Sequence, residues 1–153
     1  MSADLAALYR DVIVEHANHP RNCRVIEHDA VSAEGVNPLC GDEVTVYLRL
    51  DGNVIADVSF EAQGCAISTA SASLMTEALI GKTRSEALDL FEGVRAMLTT
   101  TTRSPTEADR VGKLSALSGI SAYPMRVKCA TLAWHTVREA LETSGATLTT
   151  EPA

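Results

Sequence analysis

The chain has 153 residues, 46% of them hydrophobic, and 13 basic against 20 acidic side chains give it a formal net charge of -7. This length suits one domain whose core folds without disulfides. The acidic balance argues against a nucleic-acid ligand, because phosphate backbones normally bind a concentrated Lys/Arg face. The N-terminus lacks the pattern of a signal peptide, and no apolar run of about 18 residues is present to span a bilayer. We therefore expect a single cytoplasmic domain over residues 1–153, with neither nucleic acid nor membrane as a partner.

The first predicted element is an amphipathic helix that begins near Leu5 and ends at the His19-Pro20 step. The residue before a proline is disfavoured in helical geometry, so the helix should not continue past His19. Its apolar residues recur at helical spacing, namely Leu5, Leu8, Tyr9, Val12 and Ile13, with His16 next on the same stripe. We expect His16 and His19 to lie at the surface, where they are available for partner contact.

Three strands are predicted next. Residues 44–50 and 54–60 each alternate apolar and polar side chains, and the turn at Asp51-Gly52 separates them. Alternation of this kind predicts an antiparallel hairpin with one buried face. Because two strands alone are marginally stable, a third is expected around residues 29–35. Together with the helices, this predicts an α+β fold with a small antiparallel sheet of about three strands.

Two helices follow the hairpin. The first begins after Cys65, carries an apolar stripe over residues 67–79 and is expected to stop at Gly81. The second is opened by Thr83 and Glu86, whose spacing of three residues is that of a capping box. Cys65 is therefore predicted to lie at a helix N-terminus.

The remainder of the chain contains a loop or insert, a last helix and a tail. Residues 99–123 are rich in threonine and are predicted to form the loop, with a short helical piece over 114–120. The last helix is expected to start near Val127, and residues 144–153 are expected to be a flexible tail. This start would place Cys129 in the first turn of the helix.

Three of the four cysteines are predicted to lie at the ends of different elements. Cys40 precedes the first hairpin strand with Asp42 two residues later, while Cys65 and Cys129 lie near helix starts, where unpaired amides stabilise a thiolate. Reduced cytoplasmic thiols favour metal or catalytic use over disulfides. Three thiolates and one carboxylate suit a tetrahedral zinc site. The alternative is that these cysteines are small buried hydrophobic residues.

Other candidate ligands are weaker. Six residues separate His135 from Cys129, or about 240° around a helix, so the two side chains cannot face one metal. Cys23 lies in a polar stretch away from the other cysteines and is interpreted as incidental.

The segments around the three cysteines resemble the IscU/NifU-like family of iron–sulfur cluster assembly proteins. They are Asn37-Pro-Leu-Cys-Gly-Asp-Glu-Val44, Gln63-Gly-Cys-Ala-Ile-Ser68 and Arg126-Val-Lys-Cys-Ala-Thr-Leu-Ala-Trp134. The resemblance covers about residues 5–143. It implies a compact α+β domain built around one metal or cluster site.

Two features are similar to the SufU branch of this family: Lys128 stands where scaffold members carry a histidine, and the segment before the third cysteine is longer. The branch resemblance implies a sulfurtransferase with a Zn²⁺ site formed by Cys40, Asp42, Cys65 and Cys129. It also implies that Cys40 accepts persulfide sulfur from a SufS-type cysteine desulfurase. The sulfur would then pass to a downstream SUF cluster-assembly scaffold.

Two basic residues flank the third cysteine. Arg126 and Lys128 are candidates for offsetting the negative charge of the site from just outside its ligands. Arg126 is equally consistent with an exposed side chain at the helix start, and for Lys128 a side chain that points to solvent is the favoured alternative. Two other functions stay open. The chain is alternatively a scaffold on which a [2Fe–2S] cluster is assembled and transferred, or a protein whose zinc is purely structural.

Overall fold

A computed structural model describes residues 3–28, 30–37, 41–99, 117, 124–142 and 148–149. It has the predicted α+β architecture. The elements are α1 (Ala3–Asn18), β1 (Val31–Asn37), β2 (Asp42–Asp51), β3 (Val54–Gln63), α2 (Ala66–Leu79), α3 (Arg84–Thr99), α4 (Pro124–Glu142) and β4 (Leu148–Thr149). No helix within these described stretches is both long and apolar enough to cross a membrane.

The sheet has the strand order β3-β2-β1-β4. The predicted hairpin is confirmed: β2 pairs antiparallel with β3, and Val46 lies opposite Phe60. β1 is the predicted third strand, moved two residues along the chain, and Ala33 pairs with Val46 on the other side of β2. The two-residue β4 adds a parallel pair to β1, inside the segment that the sequence predicts as a tail.

One face of the sheet carries the core. Strand side chains alternate between the two faces, and those on the inner face, including Val44, Val46 and Leu48, are buried. Helices α2 and α4 pack on this face, α1 packs on α2, and α3 packs on α4. The sheet therefore holds the starts of β2 and α2 against one side of α4.

The predicted turn between α2 and α3 is confirmed in detail. Gly81, just past the end of α2, has φ of +87°. The Thr83 amide donates to Glu86 Oε1 at 3.0 Å, and the Glu86 amide donates to Thr83 Oγ1 at 3.2 Å. The hydrogen bond from the Thr83 amide to the carboxyl, followed by one from the Thr83 side chain, lowers the pKa of Glu86. In the predicted loop, Leu117 is fully buried; the rest of 100–123 lies outside the described residues, so the helical piece over 114–120 stays a prediction.

The predicted surface position of His16 is wrong. This side chain is 1% exposed, and its Nδ1 lies 2.6 Å from Ser73 Oγ on α2. The same hydroxyl accepts a hydrogen bond from the Arg21 amide at 2.8 Å. Ser73 is a polar residue within the buried face of α2, so its hydroxyl needs a hydrogen-bond partner, and His16 on α1 provides one. The helical pattern placed His16 on the correct stripe, but its ionisable side chain favoured a surface assignment.

Replacing Gly35 by alanine is expected to lower the free energy of unfolding by about 1–3 kcal/mol, the range for overpacking a close contact. Gly35 lies on β1 beneath α4, and an added Cβ would overlap Thr136 Oγ1 and lie 3.1 Å from Leu132 Cδ1. Chemical denaturation measures the loss. The control is Gly52→Asn: Gly52 has φ of +61° and open space around it, a conformation that asparagine tolerates. Equal effects of the two changes would contradict the packing argument.

Candidate metal centre

Asp42 is a buried carboxylate at the start of β2. It is in phase with Val44 and Val46, so its side chain points to the inner face, where it is 1% exposed. An ionised carboxylate in such a place requires compensating hydrogen bonds or charges. The Cys65 amide supplies one by donating to Asp42 Oδ1 at 2.9 Å. The carboxylate thereby ties the first strand residue of β2 to the entrance of α2.

Cys65 is the N-cap residue of α2, as the sequence predicts. Its backbone is extended, with φ of -77° and ψ of 163°, and its sulfur accepts from the Ser68 amide at 3.4 Å. In this position the thiol takes the part that a serine or threonine hydroxyl usually plays. Cys65 Sγ also lies 3.7 Å from Asp42 Oδ2. Helix geometry and the buried acid therefore fix the direction of this side chain.

Gly64 makes the approach of these two residues feasible. Its φ is +149°, and a Cβ added there would overlap Asp42 Oδ1 and lie 2.8 Å from Asp42 Cγ. A side chain at position 64 would therefore push the carboxylate away from the Cys65 amide. Gly64 was not among the predicted site residues, although a glycine directly before the cysteine at a strand-to-helix junction is the available signal.

Cys129 reaches the same place from α4 and is 4% exposed. The predicted helix start near Val127 is wrong by one turn, because α4 begins at Pro124. Cys129 is the sixth helical residue rather than part of the first turn, so it lies beyond the four unpaired amides of a helix start. The helix-terminus argument therefore holds for Cys65 and fails for Cys129. The cause is that proline is favoured at the first position of a helix.

The side chains of Asp42, Cys65 and Cys129 converge. One ligand atom from each lies within 4.8 Å of the others, and this is the only such group of potential metal ligands in the part of the chain that the structure describes. Zinc bonds of about 2.3 Å to sulfur and 2.1 Å to oxygen place two tetrahedral ligands about 3.6 Å apart. The Cys65–Asp42 separation of 3.7 Å fits that value. Two sulfurs and a carboxylate oxygen are also donors that zinc prefers.

The other predicted site residues divide into two groups. Cys40, the predicted fourth ligand and sulfur acceptor, lies outside the described residues, so its role stays a prediction. Arg126 and Lys128 have exposed side chains on the first turns of α4. Both are on the element that carries Cys129, and their influence on its charge stays a prediction as well.

Residues that the sequence analysis set aside lie apart from this group. His135 packs edge-to-face on Phe91 with ring centroids 5.3 Å apart, and burial, followed by the charge of Arg138, lowers the pKa of its imidazole. Cys23 is exposed and forms an isolated bridge with Phe60. Partial burial and the neighbouring Glu61 raise the pKa of its thiol, which disfavours a reactive thiolate there.

Gly64→Ala is expected to abolish tight metal binding while leaving the protein folded, because the added Cβ displaces the Asp42 carboxylate. Titration with Zn²⁺ against a competing chelator measures the loss. The matched control is Gly81→Ala, since Gly81 has φ of +87° with open space around its Cβ position. That change also places an alanine at positive φ, but away from Asp42. Retained Zn²⁺ binding in the Gly64 variant would contradict the assigned role of the glycine.

Comparison with known proteins places these residues in a family context. The sequence-family model of the NifU-like N-terminal domain matches residues 8–130 of this chain. The zinc-dependent sulfurtransferase SufU of Bacillus subtilis is 40% identical over 133 residues, which cover 87% of this chain and 88% of the relative. The iron–sulfur cluster assembly scaffold protein IscU of Thermotoga maritima is 41% identical over 138 residues, covering 88% and 93% respectively.

Solved structures agree with the fold. The SUF-system protein FiSufU of Fervidobacterium islandicum AW-1 superposes with a TM-score of 0.80 at 36% identity, covering 92% of this chain and 99% of that one. The N-terminal part of a NifU-like protein of Brucella abortus gives a TM-score of 0.77 at 27% identity, with coverages of 90% and 94%. A SUF-system protein and a NifU-like N-terminal domain therefore share the single-domain α+β architecture of this chain.

Proposed function

Because the chain belongs to the NifU-like N-terminal domain family of iron–sulfur cluster assembly proteins, we propose that it is a zinc-dependent sulfurtransferase of cluster assembly. It takes sulfur from a SufS-type cysteine desulfurase in the cytoplasm and passes it to a downstream SUF cluster-assembly scaffold. The observation that carries the proposal is the convergence of Asp42, Cys65 and Cys129, whose ligand atoms lie within 4.8 Å of one another. The Bacillus relative, similar along 87% of this chain, is named for the same activity.

In this proposal Cys40, Asp42, Cys65 and Cys129 hold one Zn²⁺. Zinc keeps bound thiols deprotonated. Because it has no redox chemistry of its own, it does not oxidise the sulfur atoms of its ligands. Three thiolates and one carboxylate exceed the charge of Zn²⁺ by two. Arg126 and Lys128, on the two turns of α4 that lead to Cys129, reduce this excess through the field of their cations.

The transfer itself assigns one task to Cys40. Its thiolate attacks the outer sulfur of the desulfurase cysteine persulfide and forms a new S–S bond. The old S–S bond breaks, and the desulfurase cysteine leaves as a thiolate. Cys40 then carries the persulfide, and the exchange needs no oxidant. Asp42 and Cys65 stay in place during this step, since the hydrogen bond between them joins two separate elements.

A scaffold for a [2Fe–2S] cluster is the second candidate function, favoured by the 41% identity to the Thermotoga scaffold protein. Cysteine thiolates are the usual ligands of such clusters. Against it stands Lys128, the exposed residue before Cys129, because an ammonium group offers a cluster no lone pair. Asp42 would then have to serve as the remaining ligand.

Zinc-loaded protein is expected to increase alanine production from cysteine by the desulfurase of the same organism, with a thiol reductant present. Metal-free protein should give only a small increase, because no metal then holds the acceptor thiol deprotonated. Alanine release measures turnover directly. If neither form raises turnover while persulfide still forms on the desulfurase, the scaffold becomes the better assignment.

Substitutions separate the acceptor from the remaining ligands. Cys40→Ala is expected to abolish sulfur uptake and retain part of the bound zinc, whereas Asp42→Ala and Cys65→Ala should weaken zinc binding itself. Mass spectrometry reports the persulfide, and metal analysis reports zinc. The matched control is Cys23→Ala, since this thiol is exposed and outside the candidate centre. Sulfur uptake by the Cys40 variant would remove Cys40 from its assigned role.

A further inference from the structure

The hydroxyl of Ser68 is buried and has no hydrogen-bond partner among the described residues. The residue is 1% exposed, and no described group bonds its Oγ. Serine in a helix commonly donates to the carbonyl four residues earlier, as Thr131 and Thr136 do in α4 at 3.0 and 2.7 Å. For Ser68, the third residue of α2, that carbonyl belongs to Gly64, which precedes the N-cap Cys65 and lies outside the helix. Because an unsatisfied buried hydroxyl is destabilising, the position requires an explanation.

The surroundings of Ser68 place it beside the candidate centre. Its backbone amide donates to Cys65 Sγ at 3.4 Å. One turn further along α2, on the same helix face, the Ser71 hydroxyl donates to the Ala130 carbonyl of α4. Cys65 in turn lies within ligand distance of Cys129. The residues on either side of Ser68 along this face therefore both meet α4 at Cys129 and Ala130.

We propose that Ser68 is a positioning residue of the metal centre, whose hydroxyl donates a hydrogen bond to the metal-bound thiolate of Cys129. This rests on the metal site of the proposed function and adds a residue to it. A neutral thiol is a poor acceptor, whereas a thiolate is a charged one. The Ser68 hydroxyl is therefore suited to donate to a metal-bound sulfur on the neighbouring helix.

In this proposal the hydrogen bond stabilises the negative charge on the Cys129 sulfur. Cys65 receives an amide from its own helix start, but Cys129 is the sixth residue of α4 and lies beyond the amides of its helix start. The Ser68 hydroxyl, from α2, adds a donor that the start of α4 is too far away to supply. Hydrogen bonds to metal ligands from surrounding residues tune metal affinity and ligand basicity.

The test compares Ser68→Ala with Ser59→Ala. Ser59 is a matched control because it is also fully buried with no partner for its Oγ among the described residues. It lies between Val58 and Phe60 on β3, so its side chain is on the face of the sheet opposite the core. Three quantities are measured for each variant: unfolding of the metal-free protein, Zn²⁺ affinity by chelator competition, and the sulfur-to-metal charge-transfer band with Co²⁺ in the site.

Ser68→Ala is expected to leave metal-free stability unchanged or slightly higher, since it removes an unsatisfied hydroxyl. It should lower Zn²⁺ affinity about tenfold, within the range for outer partners of metal ligands. The Co²⁺ band should move to longer wavelength, because a sulfur without the donor is more electron-rich. Ser59→Ala should change neither the affinity nor the band.

Three results would overturn the assignment. The first is that Ser68→Ala leaves the Zn²⁺ affinity and the Co²⁺ band unchanged. The second is that Ser68→Ala destabilises the metal-free protein as much as the metal-bound protein, which indicates a structural role. The third is a wild-type chain that binds no Co²⁺, which removes the metal centre of the proposed function as well. Because none of these measurements involves the desulfurase, a failure of sulfur transfer is recognised separately.

Discussion

The hydrogen bond from the Cys65 amide to the buried Asp42 carboxylate, 2.9 Å long, is the constraint on which the candidate centre depends. It joins the first residue of β2 to the N-cap of α2, two positions separated by the whole β2–β3 hairpin. A buried carboxylate needs such a donor, and the amide at a helix start needs an acceptor. This one hydrogen bond meets both needs, and it orients the Cys65 sulfur as a consequence.

Two glycines permit the close packing that this constraint requires. At Gly64 the missing side chain leaves space for Asp42, and at Gly35 it lets α4 approach β1 until Thr136 lies over the strand. The second contact fixes the position of α4 and therefore of Cys129. The centre is thus held by the same close approaches that bury the core, so its geometry is set by folding before any metal binds.

Local pattern predicted most of the fold and of the candidate centre. Alternation gave the β2–β3 hairpin, and the three-residue spacing of Thr83 and Glu86 gave the start of α3, because both are local properties. The position of Cys129 within α4 was misjudged, since the helix begins at Pro124 and not near Val127. His16 and Gly64 depend on Ser73 and Asp42, partners distant in sequence, so local pattern does not give the contacts that define their roles.

Charge balance links the parts of the proposed four-ligand centre. With Cys40 included, its ligands would outweigh Zn²⁺ by two charges, and donors and cations around the ligands would stabilise that excess. The structure offers the α2 helix start to Cys65, the buried Ser68 hydroxyl beside α4, and exposed Arg126 and Lys128 on the turns before Cys129. The donors are inside and fixed, whereas the cations are outside and accessible to a partner. A partner that binds at this end of α4 would therefore change the charge balance of the centre without disturbing the hydrogen bonds that shape it.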